Sequence, residues 1–260
     1  MDHGAQIERV QGAFTQQAAA YAAAAAVTDP DRIARFIQAT SPEPAYRVLD
    51  IATGPGYVAE AFAAVCREVV GVDVTPAPLA LAEQRRTERN VSNLLFRHAD
   101  AHALPFAAAT FDIVVCRFAV HHFLDPIHVL HEMVRVCRRN GTVAVEDLVV
   151  SEHPSRAAYQ NQVERLRDAS HTAACALSEL LRLFTATGLD IEAVSTNTIT
   201  QEVDAWLAVA RTPQEQAREA RRMLDHDSAA DVSGTRPYHD AQGQLCFHQR
   251  TAIVVGRKLA

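Results

Sequence analysis

Lysine is almost absent: Lys258 is the only one among 25 basic residues. That excludes chemistry resting on a Tyr-x-x-x-Lys pair within the body of the chain. Cysteine is sparse and unpaired. Cys66, Cys116, Cys137, Cys175 and Cys246 are odd in number, scattered and never at C-x-x-C spacing, which argues for reduced, mostly buried thiols and against a disulfide framework or a structural zinc site. No apolar run approaches the length of a membrane-spanning helix, so no membrane partner is expected. Met1-Asp2-His3-Gly4 lacks the basic region and apolar stretch of a secretory signal, and a cytoplasmic protein is expected. An excess of positive charge is also missing. A formal net charge of −6 argues against a nucleic-acid partner, and Arg218, Arg221 and Arg222 read as a solvated helix face.

What is present is an ordinary globular composition, 48% hydrophobic and 22% charged, long enough at 260 residues for one α/β domain with insertions, as a monomer or a homodimer. Ile7, Val10, Phe14, Ala18 and Tyr21 recur at helical spacing, and the alanine-rich stretch to Ala26 extends that helix. Thr28-Asp29-Pro30 reads as a fresh helix start, with Ile33, Phe36 and Ile37 on its apolar face. Residues 1–40 are therefore expected to be helical, ahead of a domain spanning 41–260.

From Tyr46 to Asp147 short apolar runs alternate with helical patterns. The runs are Arg47–Ile51, Val69–Val74, Leu94–Arg97, Phe111–Arg117 and Thr142–Asp147, with Asn140-Gly141 as the turn before the last. Helices fit Tyr57–Cys66, Pro78–Asn90 and Pro126–Arg138. Such β-α repetition predicts a parallel sheet covered on both faces. Beyond Val150 a helical insertion is expected over about 151–178, then a helix over Ser178–Thr187, a strand over Leu189–Thr198, helices over Val203–Arg211 and Pro213–Asp225, and a last strand over Phe247–Gly256.

Val48-Leu49-Asp50-Ile51-Ala52-Thr53-Gly54-Pro55-Gly56 sets two glycines directly after the first strand, where a tight turn lets a ligand approach the backbone. Asp73 ends the second strand at the distance from the glycine loop that suits a ribose-binding carboxylate. Asp50 reads as a structural carboxylate that organises the loop. A nicotinamide dinucleotide is the competing ligand, with Ala59 standing for its third glycine.

The run from Val48 to Asp147 resembles the class I S-adenosylmethionine methyltransferases, and among them the ubiquinone- and menaquinone-biosynthesis type. The glycine loop, Gly71-Val72-Asp73, Asp100-Ala101 followed by Leu104-Pro105-Phe106, and Phe111-Asp112-Ile113-Val114 stand in that family's order. The resemblance implies a Rossmann-like fold, a mostly parallel seven-stranded sheet with helices on both faces, an N-terminal lid helix and an inserted helical cap. It implies S-adenosyl-L-methionine as cofactor, with S-adenosyl-L-homocysteine as product. Gly54 and Gly56 would lie against its amino-acid end, with Ala52 where the family more often has glycine. Asp73 would hold the ribose, Asp100 and Ala101 would border the adenine, and Tyr21, Val74 and Arg117 would add contacts.

Methyl transfer needs a nucleophile aligned behind the methyl carbon and few catalytic side chains. His121 paired with Asp147 is the expected base, with His122 as the alternative, because both stand at strand ends where α/β sheets bind ligands. Arg165, Asp168 and His171, in the insertion, are candidates to touch a small, aromatic or polyketide-like acceptor. Arg165 and Asp168 can equally form a surface pair. His98 and His102 flank Asp100, but their spacing suits a metal only on a helix, so no metal is expected. A cofactor-binding enzyme of cyclisation or rearrangement, or a binding module without catalysis, are the alternatives.

Overall fold

The computed structural model describes residues 2–259. The helices are α1 (His3–Ala23), α2 (Ala25–Thr28), α3 (Pro30–Ala39), α4 (Tyr57–Ala63), α5 (Pro76–Glu88), α6 (Pro126–Val136), α7 (Pro154–Arg167), α8 (Leu177–Ala186), α9 (Val203–Val209) and α10 (Gln214–Asp227). The strands are β1 (Arg47–Ile51), β2 (Glu68–Asp73), β3 (Leu94–His98), β4 (Phe111–Arg117), β5 (Cys137–Leu148), β6 (Leu189–Glu202), β7 (Tyr238–His239) and β8 (Leu245–Lys258). Among the described residues no helix is long and apolar enough to cross a membrane.

One sheet runs in the order β3-β2-β1-β4-β5-β8-β6, and the two-residue β7 pairs with the start of β8. The pairs from β3 through β5 are parallel; β8 lies antiparallel between β5 and β6. The expected seven strands are thus all present, with one short extra strand. β1 and β4 bury nearly every residue because helices cover both faces, which is why they read as continuous apolar runs rather than as alternation. Phe111, Leu130, Met133 and Phe184 fill one face; Phe36, Phe62 and Ile113 fill the other. Each fully buried side chain of this size contributes roughly 1.5–3 kcal/mol.

Asp29 caps α3 by accepting from the amides of Asp31 and Arg32, with Pro30 in the first turn. Ile33, Phe36 and Ile37 then pack with Val58 and Phe62 of α4, so α3 belongs to the core and not to a lid. The helical cap is also larger than an insertion ending near 178. α7 packs with α9 and α10 through Val163, Trp206, Leu207, Met223 and Leu224. Asn140-Gly141 does not precede β5 but lies within it, where the register with β4 jumps from Phe111–Cys137 to Ile113–Thr142. A side chain at 141 would meet Cys137 Sγ at 2.6 Å and the Asp112 carbonyl at 2.8 Å, so glycine is required for packing there.

Candidate active site

The strand order reverses between β1 and β4, and the crevice beyond their carboxyl ends is where an open α/β sheet binds its ligand. The loop after β1 turns through three left-handed residues, Ala52 (φ 54°), Gly54 (φ 53°) and Gly56 (φ 83°). Alanine in this conformation carries about 1–2 kcal/mol of strain that glycine would not. The two glycines serve different ends. Gly54 faces the crevice, with open space around a built Cβ except for the Tyr21 ring at 3.9 Å. Gly56 instead faces inward, where a Cβ would meet Phe96 at 2.7 Å, so it shapes the turn and does not line the crevice.

Asp50, behind the loop, accepts from the Thr53 hydroxyl at 2.6 Å, and burial pushes its pKa up to about 7. Asp73 faces the crevice. Its two oxygens accept from the Gly54 amide at 2.9 Å and the Thr75 amide at 2.8 Å, and burial raises its pKa. A carboxylate oxygen offers two acceptor sites, so each retains one for a vicinal diol. The surrounding cavity, of about 780 Å³, is walled by Ala52, Gly54, Asp73, Val74, Asp100 and Ala101. Open space at Gly54, spare acceptor sites on Asp73 and a second carboxylate across the cavity together suit a nucleoside carrying an amino-acid arm. Asp100 is held by the ring of His3 at 2.8 Å and by the amide and ring of His102. Burial opposes its ionisation, yet these donors keep its pKa below the ordinary value.

α1 roofs this cavity. Ile7, Val10, Phe14 and Tyr21 face inward, as the apolar spacing predicts. The anchors, however, are glutamines. Gln6 donates to the carbonyls of His122 and Ser170, Gln11 to Val74, and Gln17 to Asp168 at a long 3.5 Å. Gln6 and Gln17 are buried, a role hidden in a sequence where glutamine on a helix reads as solvent-facing.

A second cavity, of about 950 Å³, opens under the cap. It shares Phe14, Tyr21, Phe118 and His122 with the first, so one wall serves both. Phe118 holds a left-handed backbone (φ 53°) just after β4, a strained conformation typical of functional positions and with no sequence signature. Burial pushes the Tyr21 phenol up to about 12, so it is neutral.

His121 and His122 sit in a 3₁₀ turn after β4, their rings 4.2 Å apart between centroids. His121 Nδ1 lies 2.5 Å from Asp147 Oδ1, and Asp147 also accepts from the amides of His121 and Leu148. Burial works to lower the His121 pKa, but the Asp147 charge outweighs it and the net direction is up. His122 goes the other way. Burial and the neighbouring His121 push it down to about 4, so it is neutral; its Nδ1 lies 3.1 Å from the Ser170 carbonyl and hydroxyl oxygens.

The insertion residues divide. Asp168 lines the second cavity, buried and bound to the amide and hydroxyl of Ser170; these and His122 overcome burial to bring its pKa to about 2. His171 is buried against Asn161 at 2.8 Å and, pushed by burial to about 2, supports the cluster without lining the cavity. Arg165 points to the Thr172 carbonyl away from the cavity and pairs with neither Asp168 nor the site. The arginine on the cavity wall is Arg167, two residues further along α7. Arg117 lies outside both large cavities. It is buried against Glu146 at 2.5 Å and the carbonyls of Ala26 and Val27, bordering only a smaller cavity beside the glycine loop. Of the flanking histidines, His98 binds the Val74 carbonyl, and it is His3 that joins His102 at Asp100.

A family model described as a methyltransferase domain matches residues 49–145. The uncharacterized methyltransferase YcgJ of Bacillus subtilis is 33% identical over 189 residues, covering 72% of this chain and 75% of that protein. The crystal structure of YcgJ superposes with a TM-score of 0.83 at 29% identity, over 88% of this chain and 98% of the other. The uncharacterized protein YafE of Escherichia coli is 31% identical over 74% of this chain and 91% of its own length. A putative methyltransferase of Bacillus halodurans gives a TM-score of 0.83 at 26% identity, over 88% and 99% of the two chains.

Proposed function

The chain belongs to the class I S-adenosylmethionine-dependent methyltransferases, and on that premise we propose that it methylates a small-molecule acceptor held in the second cavity, with His121 as the base. The observation that carries this reading is the wall common to the two cavities. The ribose-type carboxylate Asp73 stands in one, the His121–Asp147 pair in the other, and Phe14, Tyr21, Phe118 and His122 stand between them.

S-adenosylmethionine, when bound, supplies a methyl group made electrophilic by its sulfonium. Asp73 would accept from the ribose hydroxyls, Asp100 and Ala101 would border the adenine, and Ala52 and Gly54 would leave room for the amino-acid arm. His121 takes the proton of a hydroxyl, phenol or amine at Nε2. Asp147 fixes the ring through Nδ1 and stabilises the imidazolium that forms, an arrangement worth about 10²–10⁴-fold in rate. Neutral Tyr21 and Phe118 exclude water from the junction. The residues α1 contributes to both cavities support its assignment, with α2, as a cover that opens and closes.

The aromatic wall, which includes Trp206, supports an aromatic or polyketide-like acceptor of the kind met in secondary metabolism or quinone synthesis. Incubation with methyl-labelled cofactor and a pool of phenolic, quinol and polyketide compounds tests this. Label is expected in the organic extract with wild type and not with His121→Ala. A protein that binds the cofactor tightly yet labels no small molecule would overturn the proposal.

A further inference from the structure

Resting on the reading of the second cavity as the acceptor site, we propose that Arg167 binds a carboxylate on the acceptor, so that the substrate is an amphipathic acid: an apolar, planar body with an anionic group remote from the atom methylated. The charged groups on the cavity wall differ in what they already bind. Asp168 gives one oxygen to the Ser170 amide at 2.8 Å and the Ser170 hydroxyl at 2.6 Å, and its other faces Gln17. Glu202 caps α9, accepting from the amides of Asp204 and Ala205 at 2.7 Å, one on each oxygen. Both carboxylates hold donors of the chain itself, and among the described residues neither pairs with Arg167.

Arg167 is the opposite case. Its Nε donates to the Trp206 carbonyl at 3.2 Å, and its guanidinium carbon lies 4.9 Å from the centre of the Trp206 ring. The nearest carboxylate, Glu164, is 3.9 Å from Nη1, beyond hydrogen-bond distance, and Gln249 holds that carboxylate by its other oxygen. Among the described residues neither terminal nitrogen of Arg167 donates a hydrogen bond, though four of the five N–H groups of a guanidinium belong to these two atoms. The side chain is 17% exposed and lines the cavity.

Stacking on Trp206 and the Nε bond hold the fork in place before anything binds, so little order is lost on pairing. Apolar neighbours, Leu148, Ile199 and Val209, strengthen an ion pair made there. A planar carboxylate matches two parallel N–H groups, whereas a dianionic phosphate calls for a second free cation that this wall lacks.

The test is isothermal titration of the protein loaded with S-adenosylhomocysteine, using 4-hydroxybenzoate, 4-hydroxycinnamate and 6-hydroxy-2-naphthoate, each against its primary amide. The acids are expected to bind at least about tenfold more tightly than the amides, the value of one charge-assisted hydrogen bond over a neutral one. Arg167→Met abolishes that preference and leaves the affinity for S-adenosylhomocysteine unchanged. Arg167→Lys, which keeps the charge but not the fork, retains only part of the preference and answers for any loosening of α9 by methionine. Equal binding of acids and amides, no measurable binding of any acid at millimolar concentration, or a preference that survives in Arg167→Met overturns the proposal alone. Failure of wild type to take up S-adenosylhomocysteine overturns the underlying reading and this one with it.

Discussion

Replacing Asp73 with asparagine changes no volume but removes one acceptor oxygen and the charge. In the structure two backbone donors, Gly54 N and Thr75 N, already converge on the carboxylate from opposite sides. A bound ribose would add two more. An asparagine has one oxygen with two acceptor sites, so four donors compete for two places, and its NH₂ must face either a backbone amide or a ribose hydroxyl. The ligand loses first, because the backbone donors are tethered. Loss of one hydrogen bond to a charged acceptor costs about 1.5–3 kcal/mol, which is roughly a 10- to 150-fold weaker Kd for S-adenosylhomocysteine. Titration calorimetry measures this without any knowledge of the acceptor. The melting temperature should fall as well, since the glycine loop is tied to β2 through the same carboxylate. Asp50→Asn is the control. Asp50, with its pKa pushed up to about 7, is already partly protonated at neutral pH and sits behind the loop, so the variant's affinity should stay near wild type. An Asp73→Asn protein with wild-type affinity would refute the ribose assignment and, with it, the geometric case for the cofactor.

For the base, His121→Ala and Asp147→Asn should each lower turnover by about 10²–10⁴-fold, and the double variant should be little worse than the poorer single, because groups that act as a unit are not additive. Histidine NMR adds an acceptor-free check: Asp147 holds the His121 pKa up, so Asp147→Asn should lower it, and an unmoved titration would separate the two residues. Acid stability follows from His122 and His171, held at about 4 and about 2. Both lie below the value of about 6.5 in the unfolded chain, so unfolding takes up protons; their stabilising contribution is complete above pH 6.5 and is lost as the pH falls, towards about 4 for His122 and about 2 for His171. His121 has the opposite sign. With two residues against one, melting should drop on acidification and His171→Gln should flatten the drop, whereas a melting point independent of pH in this window would count against the buried neutral pair. Deleting residues 1–26 should impair retention of S-adenosylhomocysteine more than it lowers melting, because Ile33 and Phe36 of α3 stay in the core; a collapse in stability with normal retention would make α1 an ordinary core helix.

The parallel half of the sheet was legible because each strand buried on both faces is a short apolar run, and each is set off by a helix with its own period. β4 is found at the expected boundaries, and β1 likewise. Asp73, His121 and Asp147 could be named for the same reason: they stand at strand ends, and the topology of an α/β sheet decides which ends meet. Contacts made by helices outside the sheet had no such rule. Gln17 reaches Asp168 across 151 residues, and His3 reaches Asp100 across 97. The choice between Arg165 and Arg167 depended on the rotation of α7 about its axis. That rotation is set by Val163 packing against Trp206 and Leu224, tertiary partners that periodicity within α7 does not reveal.

The ring pair Phe14 and Tyr21, stacked edge to face 5.5 Å apart, faces two rooms from one helix. If α1 is the piece that swings, the spent cofactor cannot depart without also dismantling a wall around the product, and a new acceptor finds no finished site until the next cofactor is enclosed. Exchange at the two cavities is then a single clocked event. Good and poor acceptors would share one ceiling on turnover wherever their chemistry outruns the helix, and selection for a new acceptor would act on the cap and on α1 while Asp73 and the glycine loop stay as they are.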